Sequence, residues 1–366
     1  MRSFSRIFAL APDCHAAGNR YSSVWQRHFY DGLGNAVPKV VFPRDVDFTW
    51  ARPAAVVAGG TAQRAEMSER LRAQIAAARP DAVVSYCFTS DIEPDLVRDT
   101  VAAGIPWVNF YCDSTYAFDR VAGLAREASL NWFPESEAEP SYRALGRALL
   151  CRPYAVNAAA LPEAVCAEAL HRIGFVGAAR PGRLMQLAGL AALGCRVEVR
   201  GPGWRRASGP RSADAVAGSS PAPGRPRWSN RLGERLLGRL LRSVVRPGGQ
   251  LDDAELAGFV SRCRLILGLN EGRSGRHRVA SYLKLRDVEF PGYGACYLTQ
   301  QNPDVARAFE IGPEVLTFGS LPEAAALARE YAARPRLAEA IGRAGRRRVL
   351  GEHTWVTRLG EIARAL

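Results

Sequence analysis

One repeating alternation constrains this chain more than any other feature: short, continuous apolar runs separated by stretches long enough for a helix. Through the first 160 residues the apolar runs are Arg6–Pro12, Pro38–Phe42, Asp81–Cys87, Pro106–Cys112 and Ser129–Phe133. Between them, helices are expected over Ser22–Gly32, Gln63–Arg79, Glu93–Ala103, Ala117–Arg126 and Glu137–Gly146. A strand apolar on both faces needs cover on both faces, and strands joined through helices run parallel. The pattern therefore predicts a parallel sheet between helical layers.

The rhythm loosens from Leu150 to Leu170, which reads as a linker, and then restarts. Strands are expected at Ile173–Gly177, Arg196–Arg200, Leu265–Leu269, Cys296–Thr299 and Glu314–Phe318. Helices are expected at Arg183–Leu193, Asp253–Cys263, Asp304–Phe309, Pro322–Ala333, Arg336–Leu350 and Trp355–Ala365. The expected fold class is α/β, with two Rossmann-like parallel-sheet domains over residues 1–160 and 171–350 facing a cleft. The closing helix, 355–366, is expected to pack back on the first domain.

A stretch over 205–246 breaks the pattern. Arg205–Arg227 is rich in Ser, Gly, Pro, Ala and Arg without apolar periodicity and reads as a loop or disordered insert. Ser229–Arg246 then carries leucines at helical spacing with arginines opposite, the pattern of an amphipathic basic helix. Such a helix packs on its own domain or docks on an anionic membrane surface or a protein partner. The chain's net charge of +13 concentrates here: eleven arginines and two acids lie between Arg200 and Gln250. A second cluster, Arg334–Arg348, has six arginines against Glu339. The rest of the chain is close to neutral, so the charge points to docking rather than to catalysis. Only Lys39 and Lys284 are lysines, so much of the arginine is the vocabulary of a GC-rich coding sequence.

Other classes are disfavoured. No run of 18 apolar residues exists to span a membrane, and Ile7–Pro12 is too short for a signal-peptide core. The eight cysteines are scattered without a C-x-x-C pair and read as reduced core residues, which predicts a cytoplasmic protein. The five histidines lack metal-ligand spacing, so no metal is implied. No Walker motif and no G-x-G-x-x-G follows the first strand, which argues against a P-loop enzyme or a dinucleotide oxidoreductase.

Chemistry concentrates in Lys284–Thr299. A charged helical turn offers Lys284, Arg286 and Glu289, glycines follow, and then a strand. A glutamate there can accept both hydroxyls of a ribose while nearby cations offset a diphosphate. The run Leu285–Ala295 resembles the Arg-x-x-Glu-x-x-x-x-Gly signature of the spore-maturation CgeB-like glycosyltransferases, group 1 enzymes of GT-B fold. Phe309–Phe318, Gly351–Arg358, Ile173–Gly177 with Arg183, and Val199–Trp204 are similar to that family's further motifs in the right order. The resemblance covers Ile173 to the C-terminus, apart from the 205–246 insert.

The resemblance implies a nucleotide-sugar donor, here a substrate rather than a cofactor, and a hexosyl or related transferase independent of metal. Glu289 would bind the ribose, and Arg183 the diphosphate with the help of its helix N-terminus. Arg286 and Lys284 would be further phosphate contacts, and Gly177, Gly292 and Gly294 would let the backbone approach the donor. His353, Thr354 and Trp355 are expected to be structural. Many group 1 retaining enzymes carry a second glutamate eight positions before the first; here that position is Ser281, and Glu271 is a weaker substitute, so the stereochemical outcome stays open.

On the acceptor side, a base is needed to deprotonate a hydroxyl. Asp113 ranks first, His15 second and Glu135 third, each following a strand, where the alternative is a helix N-cap or turn residue. The competing function is a non-catalytic α/β scaffold binding nucleic acid or an anionic surface through the insert. Nucleic acid is disfavoured because only Trp204 and Trp228 supply aromatics there.

Overall fold

The computed structural model describes residues 4–11, 24–44, 60–162, 173–204, 245–247, 249–270, 273–274, 277–278 and 282–366. The chain divides into two compact units. The first comprises Met1–Leu161, Ser274–Val288 and Val349–Leu366; the second comprises Pro162–Arg273 and Glu289–Arg348. Ser274–Val288, which the sequence reading leaves in the second domain, groups with the first.

The first unit holds strands β1 (Arg6–Leu10), β2 (Lys39–Val41), β3 (Ala82–Ser85), β4 (Trp107–Phe110), β5 (Leu130–Phe133) and β6 (Ala148–Cys151). They form one sheet in the order β2-β1-β3-β4-β5-β6, and every neighbouring pair is parallel. β6 is absent from the sequence reading, which begins its linker there. The strand is a half-exposed edge of four apolar residues, a run too short to tell from the end of the helical stretch before it. Phe8, Leu10, Leu71, Val83, Ile92, Leu96 and Trp107 are fully buried in the core around β1, β3 and β4. Each such side chain contributes roughly 1.5–3 kcal/mol on burial.

The last helix, Trp355–Ala365, belongs to this first unit. Thr354 caps it, accepting from the Thr357 N–H. The Trp355 indole N–H donates to the His28 carbonyl, and its ring meets Phe29 and Trp132 edge-on at 5.3 and 5.5 Å. The Val156 N–H donates to the His353 carbonyl at 2.8 Å. Gly32 makes room for the indole: a Cβ there would lie 2.4 Å from the Trp355 ring.

The second unit contains β7 (Ile173–Val176), β8 (Val197–Arg200), β9 (Val245–Pro247), β10 (Leu265–Gly268), β13 (Tyr297–Gln300) and β14 (Leu316–Phe318). A short pair, β11 (Arg273–Ser274) and β12 (His277–Arg278), stands apart from both large sheets. The main sheet runs β14-β13-β10-β7-β8-β9 and is again parallel throughout. Counted from β7, this is the doubly wound order 3-2-1-4-5-6, whose direction reverses between β7 and β10.

Residues 205–244, including nearly all of the expected basic helix, lie outside the described residues. Val245 and Arg246, read from sequence as the end of that helix, are instead strand, with Val245 opposite Val197. A β-branched residue favours the extended pairing, and Pro247 is tolerated because β9 is an edge. The stretch read as an insert is thus the connection between two neighbouring parallel strands. Among the described residues, none of the six cysteines is in a disulfide, and no helix is long and apolar enough to cross a membrane.

The second arginine cluster is partly paired within its own unit. Arg334 pairs with Glu330 at 2.8 Å and Arg343 with Glu339. Arg346 donates to the Gly292 carbonyl, and Arg348 contacts both oxygens of Glu314 at 3.0 and 2.9 Å. Four of the six arginines in this cluster thus have partners within the second unit, and Arg334 and Arg343 keep exposed side chains.

The helix Pro335–Glu352 approaches the Gly292–Ala295 turn through a glycine. A Cβ at Gly342 would sit 2.0 Å from the Gly294 carbonyl oxygen, a backbone atom that cannot swing away. Gly342→Ala is therefore expected to destabilise the protein by about 1–3 kcal/mol. Gly351→Ala, on the same helix with nothing within 4 Å, should be neutral or stabilise by up to about 1 kcal/mol. Urea unfolding of both variants checks the contrast; equal midpoints would refute the close packing.

Candidate active site

Parallel strands in an open sheet leave their carboxyl ends along one edge, and ligands bind outside that edge. In the first unit β4 and β5 lie side by side, Asp113 follows one and Glu135 the other. Each occupies the residue before a short helix, yet neither side chain caps that helix. The helix-capping alternative therefore fails for both side chains.

The two are joined instead. The Asp113 backbone N–H donates to Glu135 Oε1 at 2.5 Å. Asp113 adopts φ 68 and ψ 18, the left-handed region that a non-glycine residue enters only when its surroundings hold it there. Its carboxylate accepts from the Tyr282 hydroxyl at 2.6 Å and from Lys284 Nζ at 2.8 Å, both on Oδ1. Lys284 Nζ also lies 3.4 Å from the centroid of the Tyr282 ring, a cation over an aromatic face. Tyr116 stands beside this group, its ring 6.0 Å from that of Tyr282 and 42% exposed.

These neighbours separate the two carboxyls electrostatically. Burial alone would raise Asp113, but the charge and hydrogen bond of Lys284, with the Tyr282 and Tyr116 hydroxyls, hold it below its usual range. Glu135 is fully buried. Burial, with the Asp113 charge adding to it, pushes its carboxyl up to about 8 despite the backbone hydrogen bond that favours ionisation. Two nearby carboxyls with pKa values driven apart are a recurring arrangement where one must stay charged and the other carry a proton.

Lys284 is fixed by its own helix. It precedes Leu285–Gly292, and the Asp287 carboxylate reaches back to accept the Lys284 N–H at 2.6 Å. That is the returning half of a capping box. The sequence expectation assigns Lys284 to a donor phosphate; the structure puts its ammonium on Asp113. Tyr282 and Tyr116 are absent from the sequence candidates, and their nearness to Asp113 is tertiary information. Candidate His15 and the alternatives Glu271 and Ser281 lie outside the described residues.

In the second unit, Arg183 lies in the first turn of the helix Pro181–Ala192 and is buried. Its Nε donates to the Leu269 carbonyl at 3.3 Å and its Nη1 to the Ala178 carbonyl at 3.0 Å. Those carbonyls belong to the loops after β10 and β7, the two strands at which the sheet order reverses. Arg183 thus braces the crevice where a doubly wound sheet takes its ligand. Glu289 and Asp287 are buried, whereas Arg286, on the same helix, is half-buried.

The three candidate glycines have packing tasks. The Gly177 carbonyl accepts the Trp204 indole N–H at 2.7 Å and would lie 2.4 Å from a Cβ on Gly201. Gly292 offers its carbonyl to Arg346, and Gly294, at φ +83, lies under Gly342.

Residues 183–364 match the family model described as Glycosyl transferase-like. No curated protein matches the chain. Solved structures resemble it over nearly its whole length. Sucrose-phosphate synthase from Thermosynechococcus elongatus superposes with a TM-score of 0.61 at 13% identity, covering 98% of each chain. The Anabaena protein HepE in complex with UDP-glucose gives 0.58 at 11% identity over 100% of each chain. AviGT4, a glycosyltransferase involved in avilamycin A biosynthesis, gives 0.57 at 15% identity over 98% of this chain and 96% of its own. Residues 183–364 are thus similar to a glycosyltransferase-like family, and the fold is of the GT-B type.

The Asp113–Lys284 pair lends itself to a double-mutant cycle. The Asp113 side chain is 34% exposed, so solvent screening limits the coupling to about 1 kcal/mol. Lys284→Met alone should cost more than Lys284→Met placed on Asp113→Asn, because the single variant leaves a carboxylate without its cation. The pair's contribution is present above the usual carboxylate range and is lost as pH falls through the depressed Asp113 value. Denaturant unfolding at neutral and acidic pH reads both effects; additive variants would show that the contact is not energetically coupled.

Proposed function

We propose that this chain is a nucleotide-sugar-dependent glycosyltransferase of the CgeB-like type, moving a sugar from a UDP-linked donor to an acceptor hydroxyl. One observation carries the reading. The match to the glycosyltransferase-like family model includes Arg183, the residue that braces the switch point of the second sheet. The HepE structure, alike in fold, is a complex with UDP-glucose, which favours UDP among the nucleotides.

In this reading Glu289 accepts the ribose hydroxyls. Arg183, the N-terminus of Pro181–Ala192 and Arg286 stabilise the departing diphosphate. Gly177 gives the donor room, while Gly292 and Gly294 fall to packing. Asp113 takes the acceptor proton. A carboxylate held below its usual range is a weak base, which suits a loose, oxocarbenium-like transfer in which the hydroxyl loses its proton late. Lys284 leaves the phosphate contacts and joins Asp113. A cytoplasmic setting, no required metal, and a membrane or protein partner at Ser229–Arg246 complete the proposal.

Thermal melting with UDP, GDP and dTDP tests the donor site. A nucleotide present at a hundredfold excess over its Kd stabilises by about 2.7 kcal/mol. UDP is expected to raise the melting temperature most, and Glu289→Ala to abolish the rise as measured against that variant's own free melting temperature. If no nucleotide moves the intact protein, the transferase reading fails.

A further inference from the structure

Glu135 is more than a third-ranked base. Its side chain is fully buried, so it cannot meet an acceptor hydroxyl directly. One oxygen, Oε1, receives the Asp113 N–H, whereas Oε2 is buried with no hydrogen-bond partner among the described residues. A carboxylate in that position would leave half its charge unsolvated beside a second carboxylate; the protonated acid costs far less. We infer that Glu135 is a positioning residue for Asp113, a buried acid that works in its neutral form and fixes the left-handed turn which aims Asp113 at Lys284 and Tyr282.

This rests on reading Asp113 as the acceptor-side base, and the geometry supports it from several directions. Asp113 sits in a conformation an L-residue seldom adopts, and an inward hydrogen bond from its N–H to Glu135 holds it there. The groups facing Glu135 come from four elements: Asp113 and Cys112 after β4, Tyr142 on the helix Glu139–Arg143, Tyr154 after β6, and Lys284. Asp113 opposes ionisation of Glu135 and Lys284 favours it. Burial raises Cys112, Tyr142 and Tyr154, so all three stay neutral. Ionising Glu135 therefore sets two negative charges across one hydrogen bond with a single ammonium between them. As its folded-state value lies above the unfolded one, Glu135 contributes stability at low pH that is lost as pH rises through about 8. The turn at Asp113 is tight below that value and loosened above it.

The chain's composition offers a direct probe. With only two lysines, Lys39 and Lys284, protein labelled with 13C-lysine gives two side-chain signals, and Lys39→Arg assigns them. The Lys284 signal is followed between about pH 6 and 9. In the unaltered protein it should shift with a midpoint of about 8 while exposed Lys39 does not. Glu135→Gln, which keeps the acceptor oxygen but cannot titrate, should hold the low-pH position and lose the step. Glu135→Ala should displace the signal already at low pH; should that variant fail to melt cooperatively, Glu135→Gln decides alone. A step that persists in Glu135→Gln, or no step in the unaltered protein, would overturn the inference. None of these readouts needs transferase activity, so they are separable from failure of the proposed function.

Discussion

Parallel pairing is the constraint on which the rest depends. Every neighbouring pair in both six-stranded sheets is parallel. Parallel neighbours cannot be joined by a tight turn, so each strand must be followed by a return across the sheet. All strand ends then gather along one edge, and residues far apart in sequence become neighbours there. Asp113 and Glu135 meet because β4 and β5 pair in register from Val108 opposite Leu130. Arg183 reaches two loops because β7 and β10 are adjacent.

Electrostatics within the first unit then assigns different states to similar groups. Asp113 and Glu135 are both carboxyls at strand ends, yet one meets an ammonium and two phenols while the other meets a buried wall. The ammonium is a lysine in a chain that otherwise uses arginine almost throughout. A compact point charge fits between one carboxylate oxygen and the face of Tyr282, where a planar guanidinium fork would not be interchangeable.

The alternation of apolar runs foretold both sheets, since burial on two faces writes itself into consecutive residues. It missed β6, whose four apolar residues are too short a run to stand out from the helix before them, and it ran a helix into Val245 and Arg246, where strand pairing overrode helical periodicity. Asp113, Glu135 and Lys284 were each legible as chemistry-bearing residues at element ends. Their mutual arrangement was not, because it depends on a left-handed turn and on Ser274–Val288 joining the first unit. The rarity of lysine was a signal in plain view: a residue that departs from the chain's own habit marks a place where the side chain is not exchangeable.

The closing helix carries a consequence for how the molecule is made. Trp355 fills the space over Gly32 and meets Trp132, so the first unit depends on a residue that follows all of the second in sequence. On a ribosome the first sheet emerges early but lacks this buried indole until the whole of the second unit has been synthesised. The second unit, wholly contained between Pro162 and Arg348, has all its residues beforehand. Of the two units, the one translated first is thus the one finished second, and a chain cut short before Trp355 would release its first unit incomplete.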